Sequence, residues 1–424
     1  MLKKLLLTLS FPLLLSATTM PELFDALKNH SQTKSDEMLV KMAEISQSKA
    51  YSQLYPTIKL QAAYDNYNTP TGMLPVAPNT LLDMVKDQSV AQPFSYNIYR
   101  AGANFSMPIF VKSIFTSADK AQAMRTSAQA KKHINLLKNE AIIVGSNANL
   151  LYLEALEKSL ELKKKSLLET QRTIQIKVNN GRSAASALYK IEDALNQISI
   201  TQNNILLQKN SIKSSIEALT GIQLSEGVPM QESMTYTQTE LASLKPLEEK
   251  IRANRLGVKA EKEKLYPTLV AHGSYTFSSG SAYNNNKDIN EEYGDIGLLL
   301  TIPLLEVSQY DEIKKTKLQL KSDEVDLQKQ RDELSAKATM LQNALPLYKN
   351  SILLSDKSVQ NKLQLLKIAK ANYENGRLST EEYLRYEDDV VDAKAKLYEA
   401  QAKKWQTLME LAVIYANDIE EMVQ

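Results

Sequence analysis

The residues that could carry chemistry in this chain are few and scattered. Histidine occurs only at His30, His133 and His272, far apart and in different predicted elements, so a histidine-based metal site is not expected. Without cysteine there is no disulfide, thiolate zinc site, iron–sulfur cluster or cysteine nucleophile. The motifs of phosphate loops, dinucleotide-binding turns, zinc proteases and serine hydrolases are missing from the sequence. We therefore predict no catalytic residue, no cofactor, no metal and no enzymatic activity.

Charged clusters are the remaining candidates. The acids Glu192-Asp193 recur as Glu387-Asp388. If several subunits project them into a lumen, these pairs would form a ring that attracts cations; alternatively they are ordinary solvated helix charges. Lysine runs such as 163–165 lie in a predicted helix, and 51 Lys+Arg balance 49 Asp+Glu, so we expect no nucleic-acid partner.

The first 19 residues have the order of a secretory signal. Lys3 and Lys4 precede a mostly apolar run from Leu5 to Leu15, and small residues follow it. This run is too short to span a bilayer as a helix, and no later stretch reaches the ~18–20 apolar residues that a membrane helix needs. We predict a signal peptide at 1–19 and an exported chain that can cross a membrane only as strands.

The elements that must position any site are duplicated along the chain. Leu54-Tyr55-Pro56-Thr57 recurs as Leu265-Tyr266-Pro267-Thr268, and Asn180-Gly181-Arg182 recurs as Asn375-Gly376-Arg377. Pro303 follows Pro108 by 195 residues, the same offset that separates the two glycines. The earlier prolines are offset by 211, so the first half has 16 extra residues, around 70–93, which predict a longer loop. Two tandem copies of one unit follow from these offsets.

Each copy contains a helix, two strands, a long helix and a return helix. We predict the first copy at 20–220, with strands at about 57–67 and 96–107, a long helix at about 111–178 and a return helix at about 184–220. A connection at 221–247 precedes the second copy at 248–424, with strands at about 268–278 and 293–302, a long helix at about 306–373 and a return helix at about 380–420.

The four predicted strands alternate between apolar and polar residues. The apolar positions are Ile58, Leu60, Ala62 and Tyr64; Tyr99, Ala101, Ala103 and Phe105; Leu269, Ala271, Tyr275 and Phe277; and Ile296, Leu298, Leu300 and Ile302. A period of two over about ten residues suits a tilted transmembrane strand, and tyrosines near the strand ends suit an aromatic girdle. A soluble sheet with one buried face would give the same alternation.

The long helical segments have heptad patterns. Leu153, Leu160, Leu167 and Ile174 recur every seven residues, and a second series runs from Leu345 to Tyr373. A helix of ~65 residues is roughly 100 Å long, and a sustained heptad stripe indicates helices packed side by side, as in a coiled coil. Pro346 should kink the second long helix.

Strands and helices together predict a duct. A membrane sheet cannot keep open edges, and four strands are too few to close into a barrel, so several chains must each contribute four strands. The predicted fold is mixed α+β and mostly α, with two tandem helix–β-hairpin–long-helix repeats. Its four strands enter a shared transmembrane β-barrel that continues into a coiled-coil α-helical tunnel.

On these motifs the sequence resembles the TolC-type family of outer membrane efflux and secretion channels. The resemblance covers essentially the whole mature chain. It rests on the helix-to-strand segments at Pro56 and Pro267, the strand-to-helix exits at Pro108 and Pro303, and the two Asn-Gly-Arg turns. It implies a homotrimer in the outer membrane of a Gram-negative bacterium that extends into the periplasm. There it would serve as the passive exit duct of a tripartite efflux or type I secretion system. The implied partners are outer membrane lipid, a periplasmic adaptor (membrane fusion protein) and an inner-membrane transporter of the RND, ABC or MFS type.

The resemblance also implies roles for particular residues. The turns with Asn180, Gly181 and Arg182 and with Asn375, Gly376 and Arg377 would form the periplasmic tip that meets the adaptor. Tyr373 occupies the position of a tyrosine that helps to close the aperture, and Glu382 that of an acid lining the constriction. Ala187 and Arg385 depart from the family pattern, because acids are often found at both places.

Two other classes remain open at the level of sequence. A periplasmic coiled-coil adaptor would also be exported, but it normally has one hairpin flanked by compact β-domains. A secreted structural coiled coil would not need tyrosine-rich strands of ten residues. The cargo, whether drug, metal ion or polypeptide, is not encoded in any motif of this chain, and neither is the resting state of the gate.

Overall fold

The computed structural model describes residues 18–73 and 75–424. All but the last two residues of the predicted signal peptide therefore lie outside the described residues. The described chain is mostly helical and has one four-stranded antiparallel sheet with the order β1-β2-β3-β4. This agrees with the predicted mixed, mainly helical class.

The described residues form the following elements in chain order. The first half contains α1 (Met20–Asn29), α2 (Ser31–Ser52), β1 (Thr57–Gly72), α3 (Pro78–Lys86), β2 (Phe94–Phe110), α4 (Lys112–Asn179) and α5 (Ala185–Thr220). The second half contains a 3₁₀ turn (Ala242–Leu244), α6 (Lys245–Glu263), β3 (Thr268–Ser281), β4 (Asp288–Thr301), α7 (Val307–Glu374), α8 (Thr380–Tyr415) and α9 (Ile419–Met422). The two long helices have 68 residues each and the two return helices 36 each.

The chain divides into two units. Unit 1 comprises residues up to 39, 130–245 and 328–424, and unit 2 comprises 40–129 and 246–327. Unit 1 has a buried core formed by α1, the middle of α4, α8 and the C-terminus, with Phe24, Ile143 and Leu408 among its fully buried residues. A second cluster in unit 1 uses the predicted heptad residues Leu153, Leu160, Leu167 and Ile174, packed against α5.

Unit 2 contains the sheet, whose strands are longer than predicted. β1 continues to Gly72 and β2 begins at Phe94, with a register irregularity between Asn66 and Thr71. The alternation of apolar and polar residues along β1 stops at this irregularity. A strand predicted from that alternation therefore ends before the strand in the structure does. The predicted loop at 70–93 is wrong in part, because Pro70 lies in β1 and residues 78–86 form α3.

Two further expectations need correction. Pro108 is not the exit of its strand, because β2 continues to Phe110. Pairing with β1 ends at Ser106, so Met107, Pro108 and Phe110 have a partner only in β3, and a proline without an N–H is tolerated there. The last return helix ends at Tyr415 rather than near 420, since Ala416 adopts a left-handed conformation with φ of +51° before α9. Helix α7 continues through Pro346.

Among the residues described, no helix combines the length and the apolar character needed to cross a bilayer.

Candidate functional site

The sheet of unit 2 has one apolar face that its own unit does not cover. The strand registers place Leu60 opposite Ala103, Ala103 opposite Tyr275, and Gly273 opposite Ile296. All the predicted apolar strand residues from Ile58 to Leu300 therefore share one side of the sheet. Ile296 is 88% exposed and Leu60 is 84% exposed, which is a large cost in water for aliphatic side chains.

The opposite face of the sheet is polar and internally bonded. Arg100 Nη1 lies 2.5 Å from Asp65 Oδ2 and also donates to the Tyr67 hydroxyl at 3.2 Å. Asn104 Nδ2 donates to Gln61 Oε1 at 2.9 Å, one strand across. A face that satisfies its polar groups in this way can border water, whereas the other face cannot do so favourably.

Both outer strands have an unpaired edge. β1 pairs only with β2, and β4 pairs only with β3. These strands have 16 and 14 residues, and neither edge is protected by a covering strand within the described chain. Long uncovered edges are templates for pairing with another chain.

The two Asn-Gly-Arg turns of unit 1 have the same backbone hydrogen bonds. After α4, Gly181 N donates to Val178 O at 2.9 Å and Arg182 N donates to Lys177 O at 2.7 Å; after α7, Gly376 and Arg377 repeat the pattern at 3.0 and 2.8 Å. Both are Schellman caps, in which the residue after the helix has a positive φ. Gly181 and Gly376 have φ of +67° and +72°, a region that only glycine occupies readily.

The helices that follow the turns start differently. At the start of α8 the Glu382 carboxylate accepts from Ser379 N at 2.9 Å, while Glu382 N donates to Ser379 Oγ at 3.2 Å. The corresponding helix α5 starts after Ala184, which has no side-chain cap. Glu382 is therefore a capping residue. Its carboxylate also accepts from Ser379 Oγ at 2.7 Å, and this bond, followed by the one from Ser379 N, holds the pKa of the carboxyl below its ordinary value.

Removing this cap gives a testable effect. Ser379→Ala is expected to destabilise the first turn of α8 by about 1 kcal/mol. Glu382 N would lose its acceptor, and the Glu382 carboxylate, which accepts from Ser379 N, would lose the hydroxyl that holds it in place. Amide hydrogen exchange at residues 380–383 should accelerate by about fivefold to tenfold. The reciprocal variant, Ala184→Ser with Ala187→Glu, should slow exchange at the start of α5. Unchanged exchange in the Ser379→Ala protein would mean that the cap contributes nothing.

A buried polar cluster joins α4 to α8 near the turns. The Tyr383 hydroxyl donates to Glu387 Oε1 at 2.6 Å, and Ser166 Oγ donates to the same oxygen at 2.6 Å. The Tyr373 ring stacks on Tyr383 with centroids 4.8 Å apart. Burial, and then the hydrogen bond to Glu387, raise the pKa of the Tyr383 hydroxyl, so it remains a neutral donor.

This cluster corrects one prediction about the duplicated acids. Glu387 is only 6% exposed, and its carboxylate is held by Tyr383 and Ser166. In this chain it therefore behaves neither as a lumen-facing acid nor as a solvated helix charge, the two alternatives that the sequence left open. Asp388 remains half exposed and pairs with Lys163 of α4. Glu192 is partly buried, whereas Asp193 is exposed.

The other predicted residues lie at the surface. Asn180, Arg182, Asn375, Arg377 and Arg385 are all exposed. Pro56 and Pro267 directly precede β1 and β3, and Pro303 follows β4 by two residues. Within residues 18–73 and 75–424, no group of three or more His, Asp or Glu side chains could hold a metal ion.

Comparison with solved structures decides the fold. The outer membrane channel CmeC of Campylobacter jejuni is 17% identical, and the match covers 93% of this chain and 85% of that channel with a TM-score of 0.77. The outer membrane protein VceC of Vibrio cholerae is 14% identical over 93% of this chain and 95% of its own, with a TM-score of 0.74. The chain has the fold of the TolC-type outer membrane channels.

The open state of the TolC-type channel MtrE from Neisseria gonorrhoeae gives a similar match. It is 13% identical over 93% of this chain and 88% of its own, with a TM-score of 0.74. No protein-family model and no curated protein sequence matches the chain. The TolC-type fold is therefore visible in the backbone although the sequence has diverged.

Sequence reasoning missed the partners that bury Glu387. Tyr383 stands four residues before Glu387, so both lie on one face of α8, and this spacing could have indicated a hydrogen-bonded pair. Ser166 and Lys163 gave no such signal, because their contacts join α4 to a helix more than 200 residues later.

Proposed function

We propose that the chain is one subunit of a passive exit duct in the outer membrane of a Gram-negative bacterium, with no catalytic activity of its own. The observation that carries the proposal is the sheet with one bare apolar face and two unpaired edges, in a chain that has the TolC-type fold. Lipid would cover the apolar face, and neighbouring subunits would pair with the edges.

The subunit number follows from closure of the barrel. Four strands are too few to close, because the smallest barrels use about eight. A homotrimer that shares one barrel agrees with the family resemblance and with the antiparallel direction that β4 and a neighbouring β1 would have. Equal lengths of α4 and α7, and of α5 and α8, support two tandem repeats whose helices form the periplasmic tunnel.

The partners in this proposal come from the family resemblance. The turns at 180–182 and 375–377 would form the periplasmic tip and contact an adaptor. Tyr373, Glu382 and Arg385 would lie near the aperture. An inner-membrane transporter would supply the energy for efflux or type I secretion, and it would select the cargo.

Conductance in a planar lipid bilayer tests the duct. The purified mature chain should fractionate with outer membranes and, after reconstitution, should give discrete current steps. A protein that stays in the soluble fraction and carries no current in lipid would contradict the proposal.

Cysteine cross-linking tests the shared barrel, and the chain has no native cysteine to interfere. Leu60→Cys on the β1 edge, combined in turn with Ile296→Cys, Leu298→Cys or Leu300→Cys on the β4 edge, should give a covalent trimer in one of the three registers. Leu60→Cys with Leu299→Cys is the matched control, since Leu299 faces the other side of β4. Cross-linked products no larger than a dimer, or the absence of any cross-link in lipid, would exclude a closed trimer.

A further inference from the structure

Unit 1 contains a partly open cavity of about 490 Å³ that the duct function does not use. Four segments surround it: α4, the connection between the two halves, α7 and α8. Its walls are mainly aromatic and aliphatic, with Tyr152, Met230, Ile352, Tyr398 and Trp405. Both this size and this lining are typical of small-molecule sites, and the volume is far larger than the voids of a packed interior.

Short side chains at helical spacing leave the cavity open. On α4 the lining residues are 148, 151, 152 and 155, and on α8 they are 398, 401, 402 and 405, with Lys404 beside them. Each set follows the spacing of one helix face. Ala148, Ala155 and Ala402 alternate with the large residues, so the aromatic rings border a space that no side chain fills.

The connection that forms one wall is held in place by the C-terminus. Gln231 N donates to Gln424 O at 2.7 Å, and Gln424 N donates back to Gln231 O at 3.1 Å. The next residue, Glu232, forms a bridge with Val423. These backbone contacts fix the wall independently of any occupant, so the cavity is pre-formed.

A cluster of charged groups that includes part of the cavity wall carries a net positive charge. The Glu232 carboxylate lies 2.5 Å from Lys404 Nζ and 3.7 Å from Lys349 Nζ. Glu232 and Lys404 line the cavity, whereas Lys349 lies outside the lining. One carboxylate therefore faces two ammonium groups, which leaves one positive charge in excess in this cluster. Lys404 Nζ also lies 5.3 Å from the centre of the Trp405 ring, so a cation stands beside the aromatic wall.

We propose that this cavity binds a planar aromatic anion, a fused-ring compound with a sulfonate or carboxylate group. The rings would pack between Trp405 and Tyr152, and the anion would accept from Lys404. The proposal does not depend on conduction. Ligand binding can therefore fail while the duct function holds, and the duct function can fail while ligand binding holds.

Trp405 provides the measurement, because it is the only tryptophan in the chain. Anilinonaphthalene sulfonate and its neutral isostere phenylnaphthylamine differ only in the sulfonate. Titrated into the full chain in lipid nanodiscs, the sulfonate should quench Trp405 emission saturably and bind about tenfold more tightly than the neutral probe, which is the effect of one charge-assisted hydrogen bond.

Three variants separate this site from binding elsewhere. Lys404→Gln should weaken the sulfonate about tenfold and leave the neutral probe unchanged. Lys403→Gln is the matched control on the same helix: Lys403 pairs with Glu399 and does not line the cavity, so neither probe should be affected. Ala155→Phe fills the space and should abolish quenching by both probes.

Three outcomes would overturn the proposal. The first is equal affinity for the two probes, and the second is quenching that survives Ala155→Phe. The third is no saturable quenching in the assembled protein, which would mean that a second copy of the chain fills the cavity.

Discussion

Leu298→Arg is expected to abolish stable insertion of the protein into lipid, whereas Leu299→Arg should be tolerated. These leucines are neighbours on β4, and they are 66% and 54% exposed. Leu298 pairs with Ala271 on the apolar face of the sheet, and Leu299 pairs with Val270 on the polar face. Residue type, strand and exposure are thus nearly matched, and only the face differs.

The expected magnitudes differ because lipid and water solvate arginine differently. An arginine on the lipid face of a barrel costs about 2–4 kcal/mol near the bilayer midplane, while a lumen substitution mainly tunes selectivity. In a homotrimer the cost occurs three times, so Leu298→Arg should lose assembly altogether.

The measurement is the fraction of each variant protein that resists urea extraction from lipid vesicles. The conductance of the inserted protein is then recorded. Leu299→Arg should insert like the unsubstituted chain and shift the channel towards anions. Equal insertion of both variants would mean that the apolar face does not contact lipid, and the barrel proposal would then fail.

Local pattern predicted most of the sheet. Alternation is a property of a single strand, so the residues from Ile58 to Tyr64 and from Ile296 to Leu300 could be placed on a face before any pairing was known. The pairing of β2 with β3 joins residues about 160 to 180 positions apart. The alternating pattern alone predicted two hairpins, and the structure joins them into one sheet.

Elements whose ends depend on tertiary contacts were predicted less well. Pro108 stands inside β2 beyond Ser106, the residue that pairs with Thr57 at the start of β1. Its place in the strand therefore depends on where the neighbouring strand begins rather than on Pro108 itself. The sequence predicts a loop at 78–86, because proline and asparagine stand at the start of this segment. Its apolar residues Leu81, Met84 and Val85 nevertheless have helical spacing.

The candidate site shows the same division between local and distant causes. The two Schellman turns were predictable, because a glycine after a long helix is a local signal. Burial of Glu387 was not, because the residues that bury it come from α4. The copy at Glu192 has Leu188 where α8 has Tyr383, so the duplicated acids have different surroundings despite identical sequence.

A buried carboxyl in unit 1 underlies the second prediction with a large effect. Glu140 of α4 is 2% exposed. Lys28 of α1 and Glu420 of α9 form an ion pair at 2.6 Å, and the nearby carboxylates of Glu420 and Asp418 repel a charge on Glu140. Burial, and then these two acids, raise the pKa of Glu140 to about 8, while Lys28 opposes the shift.

The raised pKa fixes the sign of the pH dependence. Below pH about 4.5, the value for an exposed glutamate, both folded and unfolded chains are protonated at this site, so it makes no difference to stability. Between pH 4.5 and about 8 the folded chain keeps its proton and the unfolded chain loses it. Stability therefore falls as pH rises through this window, and above pH 8 the loss is constant.

Glu140→Gln should remove this loss, because glutamine keeps the shape of the protonated acid and does not ionise. At pH 8 the variant is expected to be more stable by about 2–4 kcal/mol, and at pH 4.5 the two proteins should unfold together. Thermal midpoints measured across this range in one detergent provide the comparison, with Glu161→Gln, exposed on the same helix, as the control. A constant difference at all pH values would instead assign the effect to packing, and no difference at pH 8 would mean that Glu140 ionises freely in the folded protein.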